Sequence, residues 1–123
     1  MNGSNIFIDT NIAIYLLDGN DELAGILEGN KLYVSFISQL ELLGFQGLSE
    51  SAETLIEDLI DSCILIDINN KIKRLVIELR RKYRIKLPDA IVAASAIYLD
   101  IPLLSADTGF QKIEELHLIL FEK

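Results

Sequence analysis

Apolar residues along this chain follow two rhythms. Short runs rich in β-branched and aromatic residues, bounded by turn residues, occur at residues 5–9, 31–37, 63–68, 101–105 and 116–121 and predict strands. Between them the apolar positions fall at helical spacing: 12–17 after the capping side chains of Thr10 and Asn11, 22–27, 50–62 and 71–83. Ser38-Gln39-Leu40-Glu41 has the form of a capping box and predicts a helix from Ser38 towards Gly47. A final helix opens at Leu87-Pro88-Asp89 and is apolar on nearly every face through Leu99, the mark of a buried helix. A short helical turn follows Asp107-Thr108-Gly109.

Alternating strands and helices, with no repeat or linker, predict a single α/β domain over residues 1–123. Its expected form is a mostly parallel sheet of four to five short strands with helices on both faces. In such sheets functional groups gather beyond the carboxyl ends of the strands. Asp9, Glu41 and Asp107 each follow a predicted strand, and Asp89 sits in the first turn of the buried helix.

Each acid has an ordinary structural reading: a strand-end turn for Asp9, half a capping box for Glu41, helix-start chemistry for Asp89, and an Asx turn for Asp107. Together they pose an electrostatic problem. Two carboxylates about 4 Å apart repel by ~4 kcal/mol at an effective dielectric of about 20, so four at one sheet edge call for protons or cations. With one cysteine, Cys63, and one histidine, His117, the chain has no soft-ligand set for zinc. Cys63 lies in an apolar run and reads as a buried structural thiol. A cation here is held by oxygen, which suits Mg²⁺ or Mn²⁺, and metal-activated water is then the economical chemistry.

The formal charge of −8 hides an asymmetry. Lys71, Lys73, Arg74, Arg80, Arg81, Lys82, Arg84 and Lys86 stand against the single acid Glu78, a local net of +7. They form either the solvated face of an amphipathic helix or a set of phosphate contacts. Leu40, Leu43, Phe45 and Leu48 offer more apolar surface than a short helix needs, as core or as a contact for a partner. No secretory signal is visible, and no apolar stretch approaches membrane-spanning length, so a cytoplasmic protein is expected.

Ile8-Asp9-Thr10-Asn11, Ser35-Phe36-Ile37-Ser38-Gln39-Leu40-Glu41, Leu87-Pro88-Asp89-Ala90-Ile91-Val92-Ala93-Ala94 and Leu104-Ser105-Ala106-Asp107 with Phe110, in that order, resemble the PIN-domain ribonucleases. In size and layout the chain looks most like the VapC-like toxins of prokaryotic toxin–antitoxin pairs. The resemblance covers essentially the whole chain. It implies that Asp9, Glu41, Asp89 and Asp107 form an acidic metal site, with Thr10, Asn11 and Ser105 as polar support. It further implies Mg²⁺- or Mn²⁺-dependent endonucleolytic cleavage of RNA, a homodimer, and a small antitoxin that blocks the site. Two other readings stand beside it: a non-catalytic RNA- or protein-binding PIN module, and a phospho-acceptor receiver module using Asp67. Against the receiver, Asp9 lacks an adjacent acid and Ser105-Ala106-Asp107 offers no lysine.

Overall fold

The computed structural model describes residues 3–122. Five strands, β1 (Asn5–Ile8), β2 (Lys31–Ser35), β3 (Ile64–Ile66), β4 (Leu103–Ser105) and β5 (Leu118–Leu120), form one sheet in the order β3-β2-β1-β4-β5. Every pairing is parallel. The connections are α1 (Thr10–Leu17) and α2 (Asp21–Leu27), then α3 (Phe36–Leu43) and α4 (Glu50–Asp61), then α5 (Asn70–Lys82) and α6 (Leu87–Leu99). A 3₁₀ turn, Thr108–Lys112, separates β4 from β5. The expected α/β architecture holds, with all five strands parallel.

Strand order places the topological switch beside β1. The chain steps outward from β1 to β2 and β3, then returns to the other side of β1 as β4 and β5. The crevice outside the carboxyl ends of β1 and β4 is where open α/β sheets bind ligands.

Being central, β1 buries both faces. Phe7 and Leu103 belong to the core shared with α5 and α6, while Ile6, Ile8 and Leu104 point into the opposite core with α1 and α4. On the first side, α6 packs chiefly against α5. Its Ala90, Ala93, Ala94 and Ala96 are fully buried, and their small side chains let the helix lie close to its neighbours. Leu87 is the first helical residue and Pro88 the second, one position later than expected. Either position tolerates proline, because the first four helical N–H groups have no intrahelical acceptor. Asp89 therefore projects from the rim of a helix fixed along its whole length by core packing.

The capping box is displaced. Ser35, not Ser38, caps α3, accepting from the Ile37 N–H at 3.0 Å, so β2 ends at Ser35 and Phe36 and Ile37 are helical. Burying Ser35 at the sheet end fixes the helix start and overrides the β-preference of Phe36 and Ile37. Ser38 falls inside α3, fully buried. Cys63 is only half-buried, because it lies on the turn between α4 and the edge strand β3.

Candidate active site

Asp9 follows β1 and caps α1, with Oδ1 accepting from the Thr10 N–H at 2.8 Å. Its Oδ2 accepts from the Ser105 hydroxyl at 2.8 Å and from the Asn11 side-chain amide at 3.2 Å. All three donors are neutral, and the residue is only 7% exposed. Burial pushes the Asp9 carboxyl above its usual range, and the nearby charges of Asp89 and Asp107 push it the same way against the Ser105 and Thr10 hydrogen bonds. Asp89 is also raised, first by burial and then by Asp107 and Glu41, while Lys86 and Lys112 oppose the rise. Asp9 follows β1, Asp107 follows β4, Glu41 lies in α3 and Asp89 in the first turn of α6, and the repulsion Asp9 feels from Asp89 and Asp107, and Asp89 from Asp107 and Glu41, marks them as neighbours at this end of the sheet.

Asn11 and Ser105 lock the two strand ends together. Asn11 Oδ1 accepts from the Ala106 N–H at 3.1 Å, and its amide donates to Ser105 Oγ at 3.4 Å. Ser105 Oγ also accepts from the Asp107 N–H at 3.0 Å. Asp107 in turn caps the 3₁₀ turn, accepting from the Gly109 N–H at 2.8 Å. That confirms the expected Asx turn.

Glu41 is held from α1. Thr10 Oγ1 donates to Glu41 Oε1 at 2.6 Å, and the same hydroxyl meets Ser38 Oγ at 2.8 Å. A hydroxyl has one proton. Since Thr10 gives its own to the carboxylate, Ser38 must be the donor to Thr10. Ser38, read from sequence as a helix cap, is a buried member of the site. Its place three residues before Glu41, on the same face of α3, was the available signal.

None of the four acids has an ion-pair partner among the described residues, where the salt bridges are Arg74–Glu78 and Lys82–Glu115. Nor do any three acidic, histidine or cysteine side chains there form a ready cage for a metal ion. The donors are carboxylates, hydroxyls and amides, a hard-oxygen set. Such a set suits an ion that takes one or two carboxylates directly and keeps much of its water shell.

The basic residues divide. Arg80, Arg81, Lys82 and Arg84 gather around the C-terminal end of α5, and Arg84 and Lys86 reach the neighbourhood of Asp89. Lys71, Lys73 and Arg74 occupy the first turns of α5, with Arg74 paired to Glu78 at 3.4 Å. Lys112, not singled out by sequence, also lies beside Asp89. On the other flank, Thr10, Ile14, Leu17, Glu41, Leu42 and Phe45 line an open groove of about 500 Å³ that continues to Leu48. Leu40 and Phe45 are 61% and 71% exposed, whereas Leu43 and Leu48 pack against the core shared with α1 and α4, so that apolar surface divides between core and an open face. Asp67 follows β3 at the far edge of the sheet, two strands from β1.

The fold is shared with solved toxin–antitoxin proteins. A chain of VapBC2 from Rickettsia felis, bound to a DNA fragment from its promoter, superposes with a TM-score of 0.85 at 21% identity, covering 96% of this chain and 99% of that one. A chain of a toxin–antitoxin complex from Klebsiella pneumoniae gives 0.82 at 27% identity, with 96% and 99% covered. VapBC-1 from nontypeable Haemophilus influenzae gives 0.78 at 24% identity, with 94% and 97% covered. No curated protein matches the sequence. The PIN domain family model matches residues 6–116, nearly the whole length, and the chain belongs to the PIN domain family.

Proposed function

We propose that this PIN domain is a Mg²⁺- or Mn²⁺-dependent endoribonuclease and the toxin of a VapC-type toxin–antitoxin pair. The observation that carries the reading is the convergence of four acids from four elements at the β1/β4 switch point, with the buried Asp9 held by neutral donors alone.

Of Asp9, Glu41, Asp89 and Asp107, one or two would hold the metal directly and the others through its water shell. Bound there, a divalent ion supplies Lewis-acid polarisation of a phosphoryl oxygen and acidification of a water. The protein's contribution is placement. Asp9 is fixed by Ser105, Asn11 and the Thr10 backbone; Asp107 by its own Asx turn and Ser105; Glu41 by Thr10, itself held by Ser38. Asp89 is carried by the packed helix α6. Fixed carboxylates need little reorganisation when charge develops at a scissile phosphate.

A small antitoxin and a second copy of the chain complete the reading. The apolar groove bordered by Thr10 and Glu41 offers a protein partner a surface contiguous with the acids. Ile77, Leu87 and Tyr98 expose apolar area on α5 and α6 for a homodimer. No helix among the described residues is long and apolar enough to cross a membrane, and a cytoplasmic site of action is part of the proposal. Incubating defined RNAs with wild type and Asp89→Asn, with Mg²⁺ or with a chelator, tests it. Cleavage is expected for wild type with Mg²⁺ alone, and equal cleavage in all four samples rejects the reading.

A further inference from the structure

We propose that a single-stranded RNA backbone reaches the acids along one defined track, over the C-terminal end of α5 and the α5–α6 connection. Its last phosphate subsite is the cavity walled by Arg84, Lys86, Asp89 and Lys112. The identity of the strand rests on the nuclease reading; the track itself rests on the geometry below.

Two cavities adjoin here. One, a shallow open depression of about 470 Å³, is lined by residues 80–85; the other, a more enclosed one of about 160 Å³, lies between residues 84–86 and the 3₁₀ turn and opens beside Asp89. Arg84 and Ile85 line both, so the two adjoin between the end of α5 and Asp89. Among the described residues, Asp89 is the only acid lining either cavity.

The walls are tied together without a ligand. Tyr83 donates its hydroxyl hydrogen to Glu115 Oε1 at 2.6 Å and accepts from the Glu114 N–H at 3.2 Å. Lys82 Nζ pairs with Glu115 Oε2 at 3.2 Å, and Lys112 Nζ donates to the Arg84 carbonyl at 2.6 Å. Lys112 has three N–H donors. One spans the two walls, leaving two for a phosphate oxygen. A pinned cavity spends little free energy on ordering when an anion enters.

The same geometry removes the first turns of α5 from the track. Lys71 and Lys73 line neither cavity. At 1.5 Å rise per residue they lie roughly 12–15 Å along the helix from Arg81, beyond a screening length of about 8 Å at physiological salt. The eight basic residues are thus an active cluster near the site and a solvated remainder.

The test is equilibrium binding of a fluorescent single-stranded RNA oligonucleotide to the full chain carrying Asp9→Asn, with Mg²⁺ present, as a function of salt. Lys112→Gln and Arg84→Gln should each weaken binding roughly three- to tenfold and flatten the log Kd against log salt slope by about 0.7, one phosphate contact on a single strand. Lys112→Arg should restore both, and the Lys71→Gln, Lys73→Gln double variant should change neither. The proposal is overturned if the double variant weakens binding as much as Lys112→Gln, or if Lys112→Gln leaves Kd and slope unchanged in a chain of unaltered melting temperature. Because the readout is binding, a chain that binds in this way without cutting RNA keeps the track and rejects the nuclease reading.

Discussion

Ser105 donates its hydroxyl hydrogen to Asp9 Oδ2 at 2.8 Å across 96 positions of sequence, and Ser105 Oγ itself accepts from the Asp107 N–H at 3.0 Å. One buried side chain therefore fixes two acids, one from each strand flanking the topological switch.

Ser105→Ala removes that link. Asp9 loses the hydrogen bond that most opposes its raised pKa, so its carboxyl should rise further and the acidic limb of the pH–cleavage profile should move to higher pH. Leaving buried acceptor and donor groups short of a partner costs about 1–3 kcal/mol, readable in a urea melt. An unmoved limb with unchanged stability would show the bond to be incidental.

Thr10→Val keeps the shape of the side chain and deletes the relay from Ser38 to Glu41. The buried Ser38 hydroxyl then loses its acceptor and Glu41 its donor. A stability loss of about 1–3 kcal/mol is expected, with weaker Mn²⁺ binding by calorimetry. Thr10→Ser should restore Mn²⁺ affinity, because it keeps the hydroxyl.

Asp9 and Asp89 have a further consequence for stability in metal-free buffer. An acid whose native pKa is raised binds more protons folded than unfolded between the two values, so its contribution to stability falls as pH rises across that window and stays low above it. The window opens near the unfolded value of about 3.9. Melting curves of wild type and Asp9→Asn should therefore diverge in favour of the variant as pH rises from 4 to 7. Mg²⁺ should reverse the order at pH 7, adding about 1.4 kcal/mol to wild type at ten times its Kd.

Gly109→Ala tests the Asx turn. A Cβ there would stand 3.0 Å from Asp107 Oδ1, the oxygen that accepts the Gly109 N–H. The carboxylate must shift, so cleavage should fall about tenfold or more with little change in melting temperature, since both residues are exposed. Wild-type turnover in this variant would show that Asp107 tolerates displacement.

Much of the site was legible because its logic is local. Asp9, Asp89 and Asp107 each sit where an apolar run meets a helix start or Asx turn, and strand–helix alternation alone brings such positions to one sheet edge. The apolar sequence of α6 announced its burial directly. What escaped depends on partners far apart in the chain. Ser35 and Ser38 both satisfy capping chemistry, and the choice is settled by Ser38 meeting Thr10 across 28 residues. The value of Lys112 depends on the fold of the 3₁₀ turn against Arg84, 28 residues upstream. The basic residues run from Lys71 through Lys86 with Glu78 as the one acid among them, so the sequence could not separate Arg84, which lies beyond the end of α5, from Lys71. Cys63 looked buried in its apolar run, but β3 is an edge strand.

The role of the acids in catalysis is decided by single-turnover cleavage of one defined RNA by wild type, Asp9→Asn and Asp89→Asn at saturating Mg²⁺, with each variant's melting temperature measured in parallel. Both variants should lose at least a hundredfold in rate, about 2.7 kcal/mol of transition-state stabilisation, with folding intact. Cleavage within threefold of wild type in either folded variant would contradict that role.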